Sequence, residues 1–261
     1  MEIIILASGS KGNAMNIKSN NSNILIDIGI SYQVLKSKLK ENMVDIKSIK
    51  HLFITHEHSD HIKGLQVFLK YHVDVTVYLS LGTYESLDAK TKELLINYVI
   101  LKSDNTYEIL NFKFETYGLS HDAKEPLGFV ISSNNKKVVI ATDTGYIDES
   151  YFDLLSNADF YLLEANHEPS LLMDSSRPYY LKQRIISEKG HLSNHEASYL
   201  IDKFIPNDKK AVWAVAHISE DCNNLHLIEK SIVRIIKDPT KVDVLFTSQT
   251  TSKVVKIWLR L

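Results

Sequence analysis

Three histidines and an aspartate fall within the six residues His56-Glu57-His58-Ser59-Asp60-His61. Neutral imidazole and carboxylate are ligands for borderline divalent metals such as zinc. The run follows a short apolar strand, Leu52 to Ile54, so His56 and His58, two apart on extended chain, can point the same way. Asp60 and His61 come where the chain turns into the helix suggested by Gly64-Leu-Gln-Val-Phe-Leu69. A pair before a helix and a pair at its first turn can serve two neighbouring metals. The bland alternative is a polar loop whose histidines are satisfied by backbone; the spacing favours metal binding over it. Glu57, between two candidate ligands, is expected to point the other way, into solvent.

Four more polar positions end apolar runs: His121, Asp143, Glu164 and His217. Strands lying side by side bring their ends onto one rim, where active sites of layered α/β proteins form. His56, His58, Asp60, His61, His121, Asp143 and His217 are enough ligands for two divalent ions sharing one carboxylate. Zinc, manganese and iron all suit such a set. Two ions roughly 3.5–4 Å apart would favour hydrolysis by stabilising both the attacking and the leaving oxygen.

The elements that must position these groups are legible in outline. Apolar strands are expected over 2–7, 14–17 and 24–29, the last buried on both faces. Asp27 ends that strand, as an acid supporting the site or as a turn residue. Ser31 reads as the cap of a helix to about Lys40, and residues 83–95 as a polar helix. Strands are expected over 73–79, 107–110 and 112–117, then a hairpin 128–131/137–140 about the turn Ser132–Asn135. Residues 170–189 are partly helical, broken at Arg177-Pro178, and Ser193 with Glu196 has capping-box spacing before a helix to about Phe204. A strand over 210–216, a helix over 224–236 and strands over 242–247 and 253–259 follow. With no linker, repeat or boundary, residues 1–261 read as one layered α/β domain.

Composition is that of an ordinary globular chain, 44% hydrophobic and 24% charged, and its net charge of −2 confines any phosphate-binding surface to a local patch. The apolar runs are too short to span a bilayer and no signal-peptide pattern is present, so no membrane partner is expected. One cysteine, Cys222, excludes intrachain disulfides and fits a reducing cytoplasm. It reads as inert, and His51, His72 and His226 as structural. The basic, tyrosine-bearing stretch Arg177, Tyr179, Tyr180, Lys182, Arg184 and Lys189 is either a phosphate- and base-contacting surface or a solvated helix face.

The order His-x-His-x-Asp-His, then His121, Asp143 and His217, resembles the metallo-β-lactamase superfamily over nearly the whole chain. The resemblance implies a four-layer αββα sandwich with a dinuclear site along one edge. His56, His58 and His121 would hold one metal; Asp60, His61 and His217 the other; Asp143 would bridge. Leu6-Ala-Ser-Gly-Ser-Lys-Gly-Asn13, Glu164-Ala-Asn-His167 and Gly190-His191-Leu-Ser-Asn194 are similar to the bacterial YycJ/WalJ group, which implies exonuclease action on DNA. Glu164 and His191 match an acid and the histidine it orients in the related transfer-RNA-processing branch, although that branch's usual preceding histidine is missing here. His167 and His195 are the alternatives for the second role. His58 stands where oxygen-reducing di-iron members carry glutamate, and Asp143 where zinc β-lactamases carry cysteine, which argues against redox chemistry and antibiotic hydrolysis.

The resulting expectation is a metal-dependent phosphodiesterase acting on nucleic acid, with Asp60, Glu164 and His191 as catalytic residues. Hydrolysis of a small thioester, lactone or cyclic phosphodiester, or a regulatory binding protein with a structural metal, are the competing readings.

Overall fold

The computed structural model describes residues 1–257. The chain divides into two compact units, one of residues 1–118, 123–127 and 248 onward, the other of residues 119–122 and 128–247. In chain order the strands are β1 (Glu2–Ala7), β2 (Ala14–Ser19), β3 (Ser22–Ile26), β4 (His51–Phe53), β5 (Thr76–Ser80) and β6 (Asn97–Leu101). After them come β7 (Thr106–Ile109), β8 (Phe112–Gly118), β9 (Leu127–Ser133), β10 (Lys136–Ala141), β11 (Phe160–Glu164), β12 (Ala211–Ala216), β13 (Val242–Phe246) and β14 (Lys253–Lys256).

The first unit holds a mixed sheet in the order β14-β1-β2-β3-β4-β5-β6. Its β14-β1-β2-β3 part is antiparallel and its β3-β4-β5-β6 part parallel. β1 is buried on both sides of its pleat, as a continuous Ile-Ile-Ile-Leu run requires. One face packs Ile4, Leu6, Leu25, Leu52 and Val77 against Leu35, Leu39 and Phe68 of the helices Tyr32–Glu41 and Leu65–Tyr71. On β4, Phe53 stacks on Tyr78 at 4.4 Å and on Phe114 of the antiparallel β7–β8 ribbon at 4.1 Å. Ser31 caps the first of these helices, as expected. The single helix expected over 83–95 is two, Leu81–Ser86 and Ala89–Leu94, because Asp88 turns out of the first and caps the second through Thr91. The edge strand β6 was not anticipated. Its exposed Asn97, Tyr98 and Val99 leave no alternation of polar and apolar residues to read.

The second unit carries β13-β12-β11-β10-β9 in that order. β9 and β10 form the expected antiparallel hairpin, turning through Asn134 and Asn135 with φ of 51° and 56°, which asparagine tolerates. β10 to β13 are parallel. Helix Asn194–Phe204 has the capping box between Ser193 and Glu196, and its last carbonyls are anchored where buried Tyr161 donates to Phe204 O at 3.1 Å. Pro178 separates the helices Pro169–Asp174 and Tyr179–Ile186. The strand expected over 253–259 is β14; residues 258 and 259 lie outside the described residues. No helix among the described residues is long and apolar enough to cross a membrane.

Parallel pairing is what gathers the polar motifs. β3 and β4 run the same way, so Asp27 and His56 leave the same rim of the first sheet. β10, β11 and β12 run the same way, so Asp143, Glu164 and His217 leave one rim of the second. Gly29 is needed beside the first rim: a Cβ there would lie 1.5 Å from Asp60 O, the carbonyl that accepts from Asn13 N at 2.7 Å. Gly29→Ala is therefore expected to displace Asp60 and destabilise the fold by about 3 kcal/mol. In a thermal melt that is a fall of roughly 6–12 °C; an unchanged melting temperature would show that this turn is not held so tightly.

Candidate metal centre

In the first unit, Asp27 organises the histidines. It sits in the left-handed region at φ 56° immediately after β3, with its amide bonded to Phe53 O at 2.8 Å. Its carboxylate accepts from Thr55 N at 2.8 Å, Thr55 Oγ1 at 2.9 Å and His61 Nδ1 at 2.8 Å. With its hydroxyl hydrogen given to Asp27, Thr55 Oγ1 accepts from His56 Nδ1 at 3.1 Å. His56 and His61 are buried and His58 half-buried, and the His56 ring centroid lies 4.7 Å from that of His58 and 4.0 Å from that of His61. The structure thus decides the open reading of Asp27: it supports the site.

Asp60 and His61 lie in the one-turn helix Ser59–Ile62. The Asn13 side-chain amide lies 3.3 Å from Asp60 Oδ2 and 3.1 Å from His61 Nε2, and Asn13 Oδ1 accepts from Gly9 N at 3.0 Å. Gln249 closes the same loop, accepting from Lys11 N and donating to Gly12 O. Asn13 ends the Leu6–Asn13 stretch, but no spacing signal in the sequence marks it as the neighbour of Asp60 and His61. Glu57 corrects an expectation: rather than pointing into solvent it accepts from Lys124 N at 2.7 Å and Thr83 Oγ1 at 3.4 Å.

In the second unit, one ligand atom from each of Asp143, Glu164, His191 and His217 lies within 4.8 Å of the others. Glu164 has no exposure and accepts from Thr144 N at 2.6 Å and His191 Nδ1 at 3.0 Å, with His217 Nδ1 at 3.4 Å. Burial pushes its carboxyl up, but the two imidazoles facing it outweigh that and hold it below the usual carboxylate value. Asp143 and His217 follow their strands in left-handed conformation, at φ 59° and 49°, sparsely populated backbone for residues other than glycine. Asp143 Oδ1 lies 3.4 Å from His217 Nε2. His121 is held through Nδ1 by Gly190 O at 3.2 Å, and its ring lies 5.2 Å from that of His191. Burial is the main force lowering the basicity of His121.

In each unit, then, Nδ1 is committed to a carboxylate, hydroxyl or carbonyl: His61 to Asp27, His56 to Thr55, His121 to Gly190, His191 to Glu164. That arrangement fixes tautomer and ring direction in metal-binding histidines, and imidazole with carboxylate suits a divalent cation. The residues present fit a divalent metal.

Of the alternatives to His191, His195 is exposed on helix Asn194–Phe204, while His167 is buried. The basic stretch is largely engaged within its own unit. Arg177 pairs with Asp221, Arg184 with Asp122, and Lys182 Nζ donates to the carbonyls of Met173 and Ser175. Tyr179 and Tyr180 are exposed.

The His167 Nδ1 has no hydrogen-bond partner among the described residues, and burial pushes its pKa down to about 4. A histidine of ordinary value near 6.5 in the unfolded chain takes up its proton first there, so stability is full above that pH and drains away between pH 6.5 and 4. The loss is on the order of 3 kcal/mol. Urea melts of the protein and of His167→Gln at pH 7.5 and 4.5 should show the variant losing distinctly less; equal losses would assign the acid lability elsewhere.

Comparison with known proteins identifies the family. The family profile described as Beta-lactamase superfamily domain matches residues 22–212. Exodeoxyribonuclease YycJ of Bacillus anthracis is 29% identical over 235 residues, 90% of this chain and 88% of that protein. Exodeoxyribonuclease WalJ of Streptococcus pneumoniae serotype 2 is 33% identical over 239 residues, 88% and 86% of the two chains. The metallo-β-lactamase fold protein YhfI of Bacillus subtilis superposes with a TM-score of 0.71 at 16% identity, covering 97% of this chain and 98% of its own, so the fold expected from the motif order is the fold observed. The chain belongs to the β-lactamase superfamily.

Proposed function

We propose that this chain is a metal-dependent nuclease, a DNA exonuclease working with two divalent ions. The observation that carries the reading is the likeness, over about nine-tenths of the chain, to two proteins named exodeoxyribonucleases. The imidazole and carboxylate groups oriented in each unit support it. In this reading His56, His58 and His121 would hold one ion and Asp60, His61 and His217 the other, with Asp143 as the carboxylate they would share. Bound ions lower the pKa of water toward neutrality and offset charge on the attacked phosphate. The remaining work belongs to side chains. Asp27 and Glu164 keep imidazoles aimed, and Asp60 orients the attacking water. His191, part-exposed and held through Nδ1 by Glu164, passes a proton to the leaving oxygen. Residues 1–261 act as one hydrolytic domain, and a cytoplasmic setting fits the buried free Cys222.

The test uses purified protein with manganese or zinc on single-stranded DNA, duplex DNA, RNA and a cyclic dinucleotide. Stepwise shortening of DNA is expected, abolished in His58→Ala and Asp143→Asn with folding intact. His191→Ala should lower kcat by about 10²–10⁴-fold. Cleavage of the cyclic dinucleotide alone would move the reading to a small-molecule hydrolase, and absence of all hydrolysis by metal-loaded protein would end it.

A further inference from the structure

We propose that a cavity of about 330 Å³ in the second unit binds a nucleobase of the strand being cleaved. This rests on the nuclease reading above and names a subsite for it. The cavity is lined by Tyr146, Phe152 and Tyr199 among other apolar groups, with His195 and the carboxylates Glu149 and Glu196 also on its lining. It adjoins the candidate metal centre along the chain at two points. Gly145 in its wall is two residues from Asp143, and Leu192 is next to His191. A base held there would belong to a nucleotide near the scissile phosphate.

Four features select a base over another apolar occupant. The volume is at the small end for ligand pockets, enough for a planar heterocycle. Tyr146 and Tyr199 are 45% and 44% exposed, so each keeps ring surface for stacking, which serves any base because every base has a π-face. Lys203 Nζ lies 5.4 Å from the Tyr199 ring centroid, one helical turn along, where an ammonium meets the phosphate that accompanies a base. The frame is also fixed in advance. Phe152 packs edge-on to Phe204 at 5.3 Å, and the helix bearing Tyr199 is held by its capping box and by the bond from Tyr161 to its last turn.

The experiment uses full-length protein in EDTA, so that binding is read without turnover. The probes are short single strands carrying 2-aminopurine or an abasic tetrahydrofuran residue at one end, each end tested in turn. With the wild type, 2-aminopurine at one end should be quenched on binding, and the abasic strand should bind about tenfold more weakly. Tyr199→Ala should lose the quench, bind the normal strand about tenfold more weakly and bind the abasic strand as the wild type does, while Tyr199→Phe should behave as the wild type. The proposal falls if Tyr199→Ala, with an unchanged thermal melt, still discriminates base from abasic residue as the wild type does, or if no strand binds. Shortening of DNA by wild type and Tyr199→Ala with equal KM would sink the pocket and spare the nuclease reading. Absence of hydrolysis with a Tyr199-dependent quench would sink the nuclease reading and spare the base site.

Discussion

A carboxylate withdrawn wholly from water must be met by donors, and Glu164 shows what that requirement builds. Leaving a buried charge short of partners costs several kcal/mol, so the groups around Glu164 are not free to drift. Thr144 N fixes the turn that carries Asp143 after β10. His191 Nδ1 fixes the approach to helix Asn194–Phe204, and His217 Nδ1 the turn after β12. One side chain therefore sets three chain segments, those that carry Asp143, His191 and His217.

Asp27 repeats the solution in the first unit, gathering Thr55 and His61 and, through Thr55, His56. In both units the acid stands at or just past the end of a parallel strand, and the histidines it orients come from a neighbouring strand end or a helix start. The orientation of these imidazoles thus comes from buried hydrogen bonds. Asp27, Asp143 and His217 share a left-handed backbone, which ends the extended run at each of these positions.

Much of this was legible in the sequence, and the exceptions have physical causes. His56, His58, Asp60 and His61 could be read because their signal is local spacing. His121, Asp143, Glu164 and His217 could be read because each ends an apolar run. The Ser193–Glu196 capping box came out as expected, and the hairpin turn expected over Ser132–Asn135 is the two residues Asn134-Asn135, Ser132 and Ser133 being paired in β9. Asp27 stayed open because its role depends on β3 pairing with β4, a contact 28 residues distant in sequence at Thr55. Glu57 was misread because its partners, Thr83 and Lys124, lie 26 and 67 residues away. The cations of the 177–189 stretch looked available only because composition cannot show that Arg177, Lys182 and Arg184 are occupied by Asp221, two carbonyls and Asp122.

The clamp of Gln249 on the Lys11–Gly12 backbone joins residues 238 positions apart within one unit. A ribosome delivers the chain from its amino end, so the histidine motif emerges well before the side chain that closes the loop beside Asp60. The whole second unit is synthesised in the interval between them. Lys11, Gly12 and Asp60 are therefore all made well before Gln249 reaches the loop, which stays unclamped while the second unit is synthesised.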